Sequence, residues 1–432
     1  MSWQKIRKIL IPLVLIAGLG VAELVVVNHS SKQKDAAAVD ASGLTTSTSQ
    51  LIQKLVGIVN GHPSTVDPYL RLAHAYNQAA RETADSSYYT KIDALLAQAT
   101  IIDATNADIP LVQATVDFGR HHFREGLVAA KKARTLNPDA VLPLGLLADA
   151  EIELGQYDQA VADIQTMVDR KPDYASYVRV AFIRELNGDV DGAIDALDTA
   201  ISAGSKFSEN IAWAYNELGK LRLRSDLPKA TDNFQSALHV LPNYAPALEG
   251  LGRVAFFQGD QAQAEKYFQQ AFATLPIAQY AIDLGDLNTV RGKTDQAETF
   301  YALADSAFAK SASSGVNIDQ EIAAFDANAD RHLDDAMIRA TAAVHDRPNI
   351  FSSDTLAWIQ YRRGKIPEAQ SAINEALRLG EYDATILYHA SLIATATNNL
   401  AAAKKYLTRA LQLNPNFSIL FSTSAHDALQ KM

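Results

Sequence analysis

The chain contains no cysteine. Disulfides, thiolate nucleophiles, zinc–thiolate sites and a lipoprotein anchor are thereby excluded. That absence suits an extracytoplasmic chain in a cell that does not use disulfides, yet cytosolic chains lack cysteine too, so it decides nothing about compartment. Basic charge is also short, with 39 Lys and Arg against 49 Asp and Glu and a formal net charge of −10. No basic run occurs outside the first eight residues. A nucleic-acid surface, which needs clustered cations to displace counterions, is therefore not expected. No His-Glu-x-x-His or Gly-x-Ser-x-Gly motif occurs, so an enzyme has no recognisable centre here and no cofactor is expected. What remains is 432 residues, 48% of them hydrophobic, enough for two or three ordinary domains or one long repeat array.

The N-terminus carries the one long apolar run. Residues 1–8 form a basic segment with Lys5, Arg7 and Lys8, and residues 9–27 follow as a stretch interrupted only by Glu23. As a helix this stretch is roughly 28 Å long at about 1.5 Å per residue, enough for a hydrocarbon core of about 30 Å. Pro12 falls in its first turn, where a missing N–H does little harm. Trp3 is placed for the headgroup region. The expectation is a single-pass signal-anchor in a cell membrane, with residues 1–8 cytoplasmic and the remainder extracytoplasmic. The alternative is a signal peptide cut near Gly20-Val21-Ala22, which leaves a secreted or periplasmic chain. Residues 28–50 are rich in Ser, Thr, Ala, Asp and Lys without apolar periodicity, and read as a disordered linker.

From residue 51 the pattern changes. Leu51, Ile52, Leu55, Val56, Ile58 and Val59 make a short amphipathic half-unit ending at Gly61-His62-Pro63. A first pair follows, with Tyr69, Leu72, Ala73 and Tyr76 on one helix and Ile92, Leu95, Leu96 and Ala99 on the next, joined by a long turn at Ala80–Ser87. Thereafter a unit recurs every 33–34 residues or so, about the length of one helix–turn–helix repeat. Its clearest copy is 245–276, where Leu248, Leu251, Gly252 and Ala255 mark a first helix and Gly259 a turn. Ala264, Phe268 and Ala271 mark a second helix, closed by Pro276. The same register returns as Ala160, Ile164 and Met167, as Ala230, Phe234 and Ala237, as Ala297, Tyr301 and Ala304, and as Ala403, Leu407 and Ala410. Gly155, Gly188, Gly259, Gly292 and Gly364 hold the turns in phase. Small residues let helices approach while the bulky residue between them fills the gap. One pair cannot bury its own stripe, so neighbours must stack into a superhelix.

Leu251-Gly252, Ala264, Phe268, Ala271 and Pro276 on this period resemble the tetratricopeptide repeat. The resemblance implies an all-α superhelical solenoid of about ten helix–turn–helix repeats over residues 51–417, preceded by the N-terminal transmembrane helix. Residues 418–432 read as a C-terminal capping helix with a polar face. The order of the whole chain is also similar to that of membrane-anchored bacterial tetratricopeptide proteins. That likeness implies a bacterium and no activity. Departures exist: unit 174–207 lacks the final proline, the Gly219–Ala230 segment is one residue short, and unit 317–350 lacks the Leu-Gly pair.

In this family the first helix of each pair lines a concave surface. The resemblance places groove positions at His74, Asn77, Asp149 and Phe182 in the early repeats, and at Asp286 and Leu392 later. The partner-binding groove is expected at Asn216, Lys220, Arg253, Phe256, Trp358 and Tyr361. Aromatic residues and Arg suit peptide capture, because they offer contact area at low entropic cost. Phe182, Phe256 and Trp358 read equally well as packing between units. The family's clamp for a C-terminal carboxylate is not expected, because only Asn216 and Lys220 approach it and their order is reversed.

Two further motifs have plain readings. Gly250-x-Gly252-x-x-Ala255 matches a dinucleotide fingerprint but lies inside a helix with no strand before it. Asp326-x-Asn328-x-Asp330 resembles the start of a calcium loop, yet Arg331 stands where glycine is needed and Met337 where a bidentate Glu is needed, so no metal is expected. His121 and His122 are adjacent and on a helix diverge by about 100°. The functional expectation is a membrane-tethered scaffold or adaptor that binds a protein or peptide in its groove, in a bacterial cell envelope. The alternative is a self-associating structural or assembly protein of an envelope complex; the oligomeric state is open.

Overall fold

The computed structural model describes residues 46–205 and 207–432, and every regular element among them is an α-helix. Helix α1 (Thr46–Val59) precedes a series of pairs. These begin with α2 (Asp67–Thr83) and α3 (Ser87–Ile102), then α4 (Asp108–Gly119) and α5 (Phe123–Leu136), then α6 (Leu142–Glu153) and α7 (Tyr157–Arg170). They continue as α8 (Tyr174–Leu186) with α9 (Val190–Ala203), α10 (Ser208–Leu223) with α11 (Leu227–Val240), and α12 (Ala245–Phe257) with α13 (Gln261–Thr274). Next come α14 (Ala278–Val290) with α15 (Thr294–Ser313), and α16 (Asp319–Asn328) with α17 (Leu333–Asp346). The last two pairs are α18 (Ile350–Arg362) with α19 (Ile366–Ala376) and α20 (Ala384–Ala396) with α21 (Leu400–Leu413), before a final helix α22 (Ser422–Lys431). Ten pairs are thus present, and each second helix packs on its own first helix and on the first helix that follows.

Several boundaries move. Residues 46–50, expected as the end of the linker, are the first turn of α1. The long turn expected at Ala80–Ser87 is short, because α2 runs on to Thr83 and the chain reverses at Ala84 with φ of 50°. The extra turn of α2 is fixed by side chains: Arg81 Nη2 donates to Asn210 Oδ1 at 2.6 Å, and Thr48 Oγ1 donates to Glu82 at 2.8 Å. At the C-terminus, helix occupies Ser422–Lys431 within the 418–432 segment. The membrane-spanning stretch 9–27 and the linker up to residue 45 lie outside the described residues. Among the described residues no helix is long and apolar enough to cross a membrane.

Close approach explains the Gly–aromatic register. A Cβ on Gly252 would sit 2.5 Å from the Phe268 ring. The same collision would join Gly219 to Phe234 and Gly285 to Tyr301, at 2.4 and 2.2 Å. Each glycine sits on a first helix where the large side chain of its own second helix needs its space, so Gly252 serves packing rather than a nucleotide. The turn glycines 155, 188, 259, 292 and 364 all have φ between 69° and 87°, a region where a Cβ is strained.

The superhelix is tight. His121 Nδ1 lies 2.9 Å from the Asn317 carbonyl oxygen, 196 residues on. Asn349 Nδ2 donates to Glu153 at 2.9 Å, the Ile350 amide donates to the Tyr157 hydroxyl at 2.9 Å, and Asn416 Nδ2 donates to the Leu223 carbonyl at 3.1 Å. These separations, 193 to 196 residues, amount to about six repeats. One superhelical turn therefore touches the next. The largest apolar cluster accordingly joins residues from Ala148 to Leu221 with residues from Ile350 to Ile393.

Candidate binding groove on the inner face

The first helices line the inside of the superhelix. Asn216 and Lys220, one turn apart on α10, and Arg253 on α12 frame one cavity of about 570 Å³. The segment after α21, Asn414 to Phe417, closes part of it from one superhelical turn later. Asn216 is 1% exposed; its Nδ2 donates to Glu217 Oε1 at 3.3 Å, and its Oδ1 has no hydrogen-bond partner among the described residues. Lys220 Nζ pairs with the same Glu217 oxygen at 2.8 Å and keeps about half of its side chain, 51%, exposed. Arg224 pairs with Glu185 at the cavity wall.

Arg253 bridges two carboxylates. Its Nε contacts Glu249 and its Nη2 meets Asp283 Oδ1 at 2.7 Å. Burial works against its charge, but Asp283 and Glu249 outweigh that and raise its pKa. Those carboxylates share one cation, and burial pushes Asp283 up to about 8, with Glu249 adding to the effect. Asp286, a turn along α14, accepts from the Tyr301 hydroxyl at 2.9 Å and is pushed up to about 7, again by burial. Tyr280, another wall residue, is shifted upward by burial and by Glu249.

The other three expected groove residues lie elsewhere. Trp358 is 2% exposed, stacked between His389 at 4.2 Å and Tyr361 at 5.2 Å between ring centroids, and its Nε1 donates to Asn328 Oδ1 at 3.0 Å. It is a core residue packed between adjacent repeats, with Ala323, Ala327 and Phe421 around it, and Tyr361 is half-buried against it. Phe256 is half-buried edge-on against Phe257 and packs in the cluster of Ile419, Leu284 and Leu287, outside the cavity. Of the six expected residues the structure brings Asn216, Lys220 and Arg253 together and separates the rest.

Glu249 and the Asn414–Phe417 segment line the cavity, Asp283 holds Arg253 from the buried side, and all of these are missed by the repeat pattern. An acidic i, i+3 pair at Asp283 and Asp286 is the one signal that points to the carboxylates. The closing segment depends on superhelical pitch, which local periodicity does not contain.

The calcium-like segment is occupied by its own neighbours. Asp326 pairs with Arg331 at 3.0 Å, Asn328 accepts from Trp358, and Asp330 pairs with Arg362 at 2.9 Å. Among the described residues no group of three His, Asp or Glu is placed to hold a metal.

Comparison with known proteins bears on the fold. The tetratricopeptide repeat family model matches residues 146–206, 224–312 and 355–416. No curated protein matches in sequence. Among solved structures, a tetratricopeptide repeat protein from Parabacteroides merdae is 16% identical, with 60% of this chain and 93% of that one covered at a TM-score of 0.40. Pseudomonas aeruginosa pilF is 14% identical, covering 45% and 88% at 0.38. The human IFIT1 dimer with PPP-AAAA is 17% identical, covering 81% and 73% at 0.44. Ten stacked helix pairs with glycines facing aromatic rings, and three segments that match the repeat model, lead to one assignment: the chain belongs to the tetratricopeptide repeat proteins.

Proposed function

We propose that this tetratricopeptide array is a scaffold that captures an extended segment of a protein partner against its inner face, at Asn216, Lys220 and Arg253. The observation that supports the reading is the cavity of about 570 Å³ between α10, α12 and the Asn414–Phe417 segment. Its polar side chains are held by neighbours in one arrangement, so a ligand meets a preorganised surface and little side-chain freedom is lost on binding. Trp213 and Tyr280 add aromatic walls of the kind that dominate binding energy at interfaces. The apolar stretch 9–27 supports a tether to a membrane, and with it a place in a bacterial cell envelope.

A photoreactive amino acid at position 220 tests the site in cells. An adduct with a partner is expected there and not from position 128, which is exposed on the outer helix α5. Equal labelling from both positions, or none from 220, overturns the groove assignment. For the tether, the full chain is expected in the membrane fraction after a carbonate wash, and release by that wash contradicts it.

A further inference from the structure

We infer that the inner cavity takes an uncharged aromatic side chain that carries an O–H or N–H donor, Tyr or Trp, from the segment it binds; this rests on the groove reading above. Charge narrows the ligand first. The charged residues on the cavity wall are Glu185, Glu217 and Glu249 against Lys220, Arg224 and Arg253. They are matched one for one, Lys220 with Glu217, Arg224 with Glu185 and Arg253 with Glu249. Asp283, the second partner of Arg253, is 1% exposed and is not part of the wall. A charged ligand that takes Arg224, Arg253 or one of their carboxylates leaves a partly buried charge uncompensated, which costs more than the new contact returns. The more exposed pair, Lys220 with Glu217, favours neither sign, because freeing one member leaves a charge of the ligand's own sign beside it. An uncharged ligand leaves all three pairs intact.

Hydrogen bonding then asks for a donor. The Asn216 amide nitrogen faces the Glu217 carboxylate, which only accepts, so Oδ1 is the free end. Asn216 borders the cavity and is almost wholly buried, and its Oδ1 has no donor among the described residues. A buried acceptor without a donor carries its desolvation cost in the free chain, and an O–H or N–H on the ligand removes that cost. Three rings stand on the wall, Trp213 from α10, Tyr280 from α14 and Phe417 from the closing segment. They suit a ring on the ligand, since edge-on and offset ring contacts add to what burial alone returns. Tyr and Trp combine a ring, a donor and no charge at neutral pH.

Anisotropy titrations of the full chain with four end-blocked, fluorescently labelled Gly-Ala peptides of one length, carrying Tyr, Phe, Lys or Glu at every third position, test this. The Tyr peptide is expected to bind about tenfold more tightly than the Phe peptide, the effect of about one hydrogen bond. The Lys and Glu peptides are expected not to bind. Added NaCl is expected to change Tyr-peptide binding by less than about twofold, because the ligand brings no charge to be screened. Asn216→Leu removes the acceptor and keeps a side chain of similar shape. In it the Tyr peptide is expected to fall to the affinity of the Phe peptide, with Phe binding unchanged. The Tyr-to-Phe ratio and the salt response of the native chain decide the matter whether or not that variant folds. Phe binding as tight as Tyr binding, a preference for the Lys or Glu peptide, or an unchanged Tyr-to-Phe ratio in folded Asn216→Leu overturns the assignment and leaves the groove. Binding of none of the four overturns the groove reading itself.

Discussion

In the clearest repeats the two helices differ sharply in what they bury. The inner helix α12 buries Ala245, Ala247, Leu248, Glu249, Gly250, Leu251, Gly252, Val254 and Ala255, nine of its 13 residues. Its outer partner α13 buries Ala264, Phe268 and Ala271, three of 14. The same contrast separates α20, with nine of 13, from α21, with three of 14. An outer helix is covered on one side only, by the two inner helices it joins, so one narrow stripe with polar surroundings suffices. An inner helix is pressed by its own partner and by the neighbouring inner helices, and in places by the next superhelical turn. Most of the buried surface of such a repeat therefore lies on its inner helix, while the outer stripe contributes one large side chain per repeat. Chemistry is concentrated on the inner face, where charges must be accommodated in tight space.

The largest effect is expected at that outer side chain. Phe268→Ala removes a fully buried ring and leaves a cavity between α12 and α13, costing about 3–5 kcal/mol in chemical denaturation. A cost under about 1 kcal/mol would mean that the repeat is not held by its stripe. Next is the glycine facing that ring. Gly252→Ala puts a methyl group 2.5 Å from Phe268, an overpacking cost of about 1–3 kcal/mol. The double variant Gly252→Ala, Phe268→Leu is expected to recover part of that loss, since the two sites share one space.

A smaller effect concerns pH and the inner face. Burial raises Asp283 and Glu151 to about 8 and Asp286 to about 7. Between the ordinary carboxylate range and these values the folded chain holds protons that the unfolded chain has released. Stability from these groups is thus complete only below the ordinary carboxylate range, about pH 4, and is lost as pH rises from there towards 8. The melting temperature is expected to fall from pH 5 to pH 8, and Asp286→Asn to make that fall shallower. A melting temperature that rises over the same interval contradicts the burial of these carboxylates. The smallest effect belongs to the exposed outer surface, where Ile338 is 70% exposed. Ile338→Ser is expected to change stability by no more than about 0.5 kcal/mol.

This contrast also explains what the amino-acid order makes legible. The outer stripe repeats as small, large, small at helical spacing because one set of contacts dictates it, and Ala264, Phe268 and Ala271 announce the fold directly. Inner helices obey several sets of contacts at once, so Trp358 and Asn216 look alike as groove positions. Trp358 lies in a stack with His389 and Tyr361, and Asn216 borders the cavity. The extra turn of α2 and the closing segment Asn414–Phe417 depend on residues more than a hundred positions away, Asn210 for the first and Leu223 for the second. No local pattern encodes them.

The contact between superhelical turns joins repeats that are far apart in the chain, and one amide reports on it. Ile350 opens helix α18, a position whose N–H has no partner within its own helix. Its amide is bonded to the Tyr157 hydroxyl, nearly six repeats earlier. Hydrogen exchange at Ile350 should therefore be slow in the native chain and fast in Tyr157→Phe, with the rest of α18 unchanged. Rapid exchange at Ile350 in the native chain would show that the turns do not meet, and that the inner face is open along its length.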